Sequence, residues 1–208
     1  MIRCLDIHTH HTAPQPLAVI AVSPADFNPM EGQLYSIGIH PWDTQMTAEN
    51  VDWNEFERLA SLPSVVAIGE GGVDKLRGAP LFKQLLTFKK QIEISEKIGK
   101  PLIIHDVKAH DIIVGLKNDM QPTQKWLVHG FRAKPTVAKM LTDAGIYLSF
   151  GEYFNPESLK ATPANMILAE TDESLLSIQE IISGLSQVMG YDLTSLIADN
   201  TSEFLNNE

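Results

Sequence analysis

Two histidines one residue apart, His8 and His10, close a short apolar stretch near the start of the chain, Asp6-Ile7-His8-Thr9-His10. In an extended strand, residues two apart face the same side, so both imidazoles can reach one cation. Alone, such a pair reads equally well as two surface histidines in a loop. Four later stretches change that reading, because each sets an imidazole or a carboxylate at the end of an apolar run. They are Ala67-Ile68-Gly69-Glu70, Leu102-Ile103-Ile104-His105, Trp126-Leu127-Val128-His129 and Ile167-Leu168-Ala169-Glu170-Thr171-Asp172. Imidazole nitrogens mixed with carboxylate oxygens are the ligand set of zinc, manganese, iron or nickel hydrolase sites. His8, His10, Glu70, His105, His129 and Asp172 are therefore the candidate ligands of one or two divalent ions, with zinc, manganese, magnesium and nickel all open.

The chemistry follows from the ligands. A divalent ion lowers the pKa of bound water from about 15.7 to about 7, which makes hydroxide available at neutral pH. A carboxylate such as Glu70 can bridge two ions, and Asp172 can accept the proton of the attacking water, so both are candidate catalytic residues as well as ligands. No rival nucleophile has comparable support. Cys4 reads as a small buried hydrophobe. The chain has no Gly-x-Ser-x-Gly elbow, phosphate-cradling loop or dinucleotide fingerprint.

These groups need elements that bring them together. Short apolar runs alternate with longer helix-like segments, the pattern of βα units around a largely parallel sheet. The expected strands are Arg3–Ile7, Leu17–Val22, Tyr35–Ile39, Val65–Gly69, Pro101–Ile104, Lys125–Val128, Ile146–Ser149 and Met166–Ala169. Several are apolar without alternation, as strands covered on both faces should be. Eight such strands predict a (β/α)8 TIM-type barrel, whose active site lies at the carboxyl ends of the strands. The clearest helices are Pro80 to Ile98, one opening at Lys134-Pro135, Glu173 to Met189 and Leu193 to Leu205. Little room separates the first three strands, so the barrel is expected to be compact, with shortened early connections. No repeat or linker divides the chain, and residues 1–208 read as one domain.

Composition bounds the remaining classes. The 208 residues, 44% hydrophobic and 20% charged, suit an ordinary globular protein. No apolar run is long enough to cross a bilayer. The single cysteine forbids an internal disulfide, and the first residues lack a signal-peptide pattern; a cytoplasmic monomer without a membrane or protein partner is expected. A net charge of −10 argues against a broad electrostatic grip on nucleic acid. It does not exclude a phosphate-containing substrate, because bound cations reverse the local field.

The ordered series DIHTHH, SIGIHPWD, AIGEGGVDKL, FKQLLTFKKQIEISEKIGKPLIIH, VHGF, GIYLSFG, LAETD and DNTSEFL resembles the TatD family of metal-dependent hydrolases and deoxyribonucleases, from about Leu5 to Phe204. The resemblance implies that His8, His10, Glu70 and Asp172 hold one metal, and that Glu70, His105 and His129 hold the other. It also implies a histidine near the substrate, matched by His40, and supporting acids matched by Asp74 and Glu170. The sequence departs from the family at two points: Val107 stands where an arginine is usual, beside Lys108, and Ser174 stands where the ETD motif is usually followed by proline. Lys108 is thus a candidate substrate-binding residue in place of that arginine. Lys75, Arg77 and Lys108 are the cations available for a phosphate, and Trp42 can either stack on a base or pin its loop. Three readings follow. The first is hydrolysis of a phosphodiester, in DNA or in a smaller phosphate ester. The second is metal-dependent amide or ester hydrolysis, and the third a metal-binding protein without catalysis.

Overall fold

The computed structural model describes residues 4–13, 18–43 and 51–206. Eight strands lie in one parallel sheet in sequence order: β1 (Asp6–Thr9), β2 (Ala18–Val22), β3 (Leu34–Ile37), β4 (Val65–Asp74), β5 (Leu102–Val107), β6 (Trp126–Val128), β7 (Ile146–Phe150) and β8 (Ile167–Ala169). A parallel bridge between Thr9 and Asp172, with backbone bonds from His10 N to Asp172 O and from Asp172 N to His8 O, brings the last strand's end back to the first. The result is a nearly closed TIM-like barrel. Helices among the described residues are α1 (Trp53–Ala60), α2 (Leu81–Ile98), α3 (His110–Met120), α4 (Pro135–Asp143), α5 (Pro156–Ala161), α6 (Ile178–Met189) and α7 (Thr194–Leu205). None of them is long and apolar enough to cross a membrane.

Alternation along the strands splits the core in two. Leu102, Ile104, Trp126, Val128, Ile146, Leu148, Ile167 and Ala169 join a cluster with helix residues such as Phe88, Ile92, Ile113, Leu141 and Leu185. Residues of the other parity, Ile103, Leu127, Tyr147 and Leu168, join Ile7, Val19, Ala67 and Phe204 in a second cluster. A cluster fed by strands all round the sheet can only fill the barrel interior, with Phe204 of α7 closing it. His105 and His129 continue the inward parity of Ile103 and Leu127, and so emerge at the mouth.

Two strands break the alternation: β4 has an extra residue at Val66 against β3, and one further break in each of β1 and β4 carries a candidate ligand. In β1, Asp6 pairs with Ala18 and Thr9 with Ile20, so three residues of β1 span two of β2. In β4, Ile68 pairs with Leu102 and Gly71 with Ile104, again three against two. These are bulges, which re-aim side chains and recur beside active sites. They turn His8 and Glu70 toward the centre of the mouth. The strands therefore differ from expectation: β4 runs on to Asp74 and β5 to Val107, which puts Glu70 and His105 inside strands. β1 starts at Asp6, with Cys4 and Leu5 before it outside the strand; the expected start at Arg3 lies outside the described residues. The last-but-one helix starts at Ile178, because residues 173–177 form the loop above β8. Helices α1, α3 and α5 are additions to those read from the sequence; α1 is short, eight residues that bury Phe56 and Ala60.

Bulged backbone needs close neighbours without side chains. A Cβ on Gly38, one residue past β3, would lie 2.6 Å from the Glu70 carbonyl oxygen. Gly72 has φ +150°, and a Cβ there would sit 2.1 Å from the His105 carbonyl oxygen. α2 then fixes this region through two buried amides. Gln91 Oε1 accepts from Ile39 N at 2.9 Å while its Nε2 donates to Ile39 O at 3.1 Å. Gln84 Oε1 accepts from Asp74 N at 2.8 Å and its Nε2 donates to Asp74 O at 3.0 Å.

Gly72→Ala is expected to lower unfolding stability by about 2 kcal/mol or more, through strain at positive φ and the clash with β5. Gly115→Ala, in α3 with nothing within 4 Å of the added methyl, is expected to raise it by about 0.5 to 1 kcal/mol. Urea titration of both variants checks the pair.

Candidate metal centre

Glu70 is 6% exposed and its two oxygens divide the histidines between them. Oε2 lies 3.1 Å from His10 Nε2 and 3.4 Å from His8 Nε2. Oε1 lies 2.5 Å from His105 Nδ1, 2.7 Å from His129 Nε2 and 3.2 Å from His40 Nε2. Asp172 faces the first group, with Oδ1 3.6 Å from His10 Nε2 and 3.8 Å from His8 Nε2. All six sequence-predicted ligands thus converge on one point, and His40 joins them more closely than its place in the sequence suggested.

Each ring is aimed by groups behind it. His105 turns its Nε2 to Asp74 Oδ2 at 3.4 Å, and Asp74 is held by Trp42 Nε1 at 2.7 Å and by the backbone of Leu76 and Arg77. His129 turns its Nδ1 toward Glu170 Oε1 at 3.6 Å, and Ser149 Oγ donates to the other Glu170 oxygen. Asp6 accepts from Thr171 N at 3.0 Å and Thr171 Oγ1 at 2.6 Å, tying β1 to the segment that ends in Asp172. Burial, only partly offset by those bonds, pushes the Asp6 carboxyl up to about 7. Asp172 itself has φ +53°, a conformation that Asp adopts more readily than most residues and that recurs at functional sites. Asp6, Gln84 and Gln91 are supporting residues that motif reading passed over; the only signal for them is a polar residue inside an otherwise buried stretch.

The donor set fits divalent cations. His8 is fully buried and, among the described residues, neither of its ring nitrogens has a hydrogen-bond partner, nor has His129 Nδ1 or Glu170 Oε1. An unsatisfied buried polar group costs about 1–3 kcal/mol, so such a cluster calls for a ligand. Three imidazole nitrogens also crowd Oε1, more than its two lone pairs serve. Overlapping triads with ligand atoms within 4.8 Å of one another include His8–His10–Asp172, His8–Glu70–His129 and His40–Glu70–His105.

Electrostatics point the same way. Burial pushes the Glu70 carboxyl up, but the charge on His129 and the hydrogen bonds to His10, His105 and His129 reverse this and hold it well below the usual range. Burial favours a neutral His129, yet the charges of Glu70 and Glu170 raise it well above its ordinary value. His8 is lowered, by burial first and then by the charge on His129. The hydrogen bond to Glu70 raises His10 against burial. The buried carboxylates demand positive charge, and a cation supplies it in place of the protons.

His40 differs from the other imidazoles. Its Nδ1 accepts the Trp42 backbone N–H at 3.1 Å, so the neutral ring carries its proton on Nε2, the atom facing Glu70. Trp42 pins this loop, because its Nε1 is bound to Asp74 and the Arg77 guanidinium sits 3.6 Å over its ring. Lys75 pairs with Asp111 at 2.9 Å, away from the cluster. Lys108, exposed and at φ +57°, lines the mouth. His11 Nε2 bonds Ser174 O at 2.8 Å and His110 Nδ1 bonds Asp106 at 2.6 Å, so both support loops. Cys4 is buried, and burial pushes its thiol up, away from a reactive thiolate. The mouth opens into a cavity of about 1030 Å³ lined by His10, His40, Glu70, His105, His129 and Asp172.

Residues 28–178 match the family described as TatD related DNase. The chain is similar to the uncharacterized metal-dependent hydrolase BU355 of Buchnera aphidicola, at 30% identity over 69% of this chain and 60% of the relative. It is similar to the 3'-5' ssDNA/RNA exonuclease TatD of Edwardsiella piscicida, at 28% identity over 69% of this chain and 59% of the relative. It therefore spans about 60% of the length of these relatives. Among solved structures, the TatD homolog YJJV from Escherichia coli K12 shares the fold, with TM-score 0.80 over 100% of this chain and 99% of that one, at 18% identity.

Glu70→Ala is expected to strip metal from the protein at both positions, leaving less than a tenth of the wild-type content after dialysis against manganese. Asp74→Asn is expected to weaken binding about 10- to 100-fold through the loosened His105 ring. His110→Ala should leave metal content unchanged. Elemental analysis of the three dialysed variants decides.

Proposed function

The chain belongs to the TatD family of metal-dependent hydrolases, and on that premise we propose that its mouth hydrolyses phosphodiester bonds, with single-stranded DNA or RNA ends and small phosphate diesters as the substrate class. The observation that carries the reading is the division of Glu70, one oxygen toward His8 and His10 and the other toward His105 and His129. A carboxylate placed so would help to hold a cation on each side, with Asp172 completing the first set. When bound, such ions supply Lewis acidity and lower the pKa of water toward about 7.

The residues have distinct tasks in this reading. Asp172 is the ligand-set carboxylate most open to the cavity, at 35% side-chain exposure, and it takes the proton of the attacking water. Glu70, buried and held ionised, keeps its charge throughout. His40 directs an N–H toward the ester oxygens, and Lys108 meets a phosphate at the rim. Asp74 and Glu170 keep the His105 and His129 rings from turning when substrate arrives. The ligand name carried by the Edwardsiella relative, an exonuclease of single-stranded DNA and RNA, supports nucleic-acid ends within this class.

Metal-stripped protein should be silent on bis-p-nitrophenyl phosphate and recover activity with manganese or zinc, while p-nitrophenyl acetate stays uncleaved. Cleavage of the acetate alone would replace this reading with an ester or amide hydrolase. Lys108→Ala should raise KM for the diester about tenfold, the scale of one charge-assisted hydrogen bond; an unchanged KM removes Lys108 from the substrate site.

A further inference from the structure

A second cavity of about 480 Å³ adjoins the metal centre. We propose that it seats the uncharged nucleoside at the end of the substrate, while the phosphate-bearing remainder lies in the larger cavity. The proposal rests on the phosphodiesterase reading and adds to it the direction in which the substrate crosses the site.

Both cavities are lined by Gly130, Phe131, Arg132, Asp172 and Glu173, so an occupant of one continues into the other past Asp172. Both linings are rich in carboxylates, but their cations differ. Arg77, Lys108 and Arg132 line the larger one, among Asp26, Asp43, Glu70, Asp106, Asp172 and Glu173. Among the described residues the smaller one has Arg132 alone, at the shared wall, beside Glu152, Glu170, Asp172 and Glu173. A phosphate therefore has three side-chain cations to meet on the first side and, in the depth of the second, none. What the second side offers instead is apolar and aromatic surface, from Phe131 and Phe154 and from Tyr153, Leu175 and Leu176. Tyr153 is 72% exposed and Leu175 96%, an unusual outlay of apolar surface at the lip of a pocket. Aromatic side chains stack on bases whatever their sequence, and carboxylates accept the N–H groups on base edges. A flat, uncharged group rich in N–H donors meets both demands.

The pocket is also formed in advance. Ser174 Oγ donates to Glu152 Oε2 at 2.6 Å, joining the loops after β8 and β7. His11 Nε2 lies 2.8 Å from Ser174 O, and Ser174 N donates to Thr171 O at 2.8 Å, which fixes the same turn to Asp172. Its volume is within the roughly 300–1,000 Å³ of ordinary small-molecule sites.

The test uses the manganese-loaded protein and three substrates: thymidylyl-thymidine and its two analogues with one base removed. Loss of the base at one end, and not at the other, should raise KM about tenfold, the range of one stacked base. Tyr153→Ala, an exposed substitution that leaves the core intact, should raise KM for thymidylyl-thymidine by a similar factor and leave that abasic analogue unaffected. Equal effects on the intact and abasic substrates, or indifference to both bases, would overturn the proposal. Amide chemical shifts on adding free thymidine give a readout independent of turnover. Shifts at residues 151–154 and 173–176 support the subsite, and shifts confined to the larger cavity, or none, contradict it. If no diester is cleaved yet thymidine moves those amides, the phosphodiesterase reading fails and the nucleoside pocket stands.

Discussion

One buried carboxylate governs the architecture of the mouth. Glu70 meets imidazole nitrogens from five histidines while almost wholly shielded from water. Burying an ionised carboxylate is costly unless positive charge and hydrogen bonds surround it. The surrounding sequence supplies both. Strand β1 and the residue after it deliver two histidines, β5, the end of β6 and the loop after β3 deliver one each, and the bulge in β4 turns Glu70 into their midst. The two glutamines of α2 then fix the backbone of Ile39 and Asp74, so that the loops carrying His40 and Trp42 cannot drift. A helix that is ordinary on its outer face thereby becomes part of the site.

The closure of the barrel belongs to the same arrangement. The segment that joins β8 to β1 is also the one that bears Asp172, and its backbone exchanges bonds with His8 and His10. Asp6 and Thr171 reinforce that seam from below. Metal ligands and barrel closure therefore share their hydrogen bonds, so loosening the seam disturbs both.

Much of this is legible in the chain. Apolar runs ending in His105, His129 and Asp172 announce buried parallel strands and the groups at their mouths, because a strand covered on both faces leaves few reasons for a polar terminus. What alternation alone misplaces is His8 and Glu70. Each lies on a bulge, where one added residue reverses the expected facing, and a bulge depends on the partner strand's register rather than on its own sequence. Ile7 packs inside the barrel and His8, next to it, also points to the centre. The supporting glutamines escape for a related reason. Gln84 and Gln91 look like polar interruptions of an amphipathic helix until the backbone they bind is known. Arg132 is hidden by the same limit, since nothing in Gly130-Phe131-Arg132 says that two cavities meet there.

The claim beneath all of this is that Glu70 stands between two cations. Anomalous diffraction from crystals equilibrated with manganese or zinc tests it most directly. The account predicts two peaks, one beside Glu70 Oε2 among His8, His10 and Asp172, the other beside Oε1 among His105 and His129. Peaks remote from Glu70, or a well-ordered site whose ligands exclude it while His8 keeps both nitrogens unpartnered, would contradict the account.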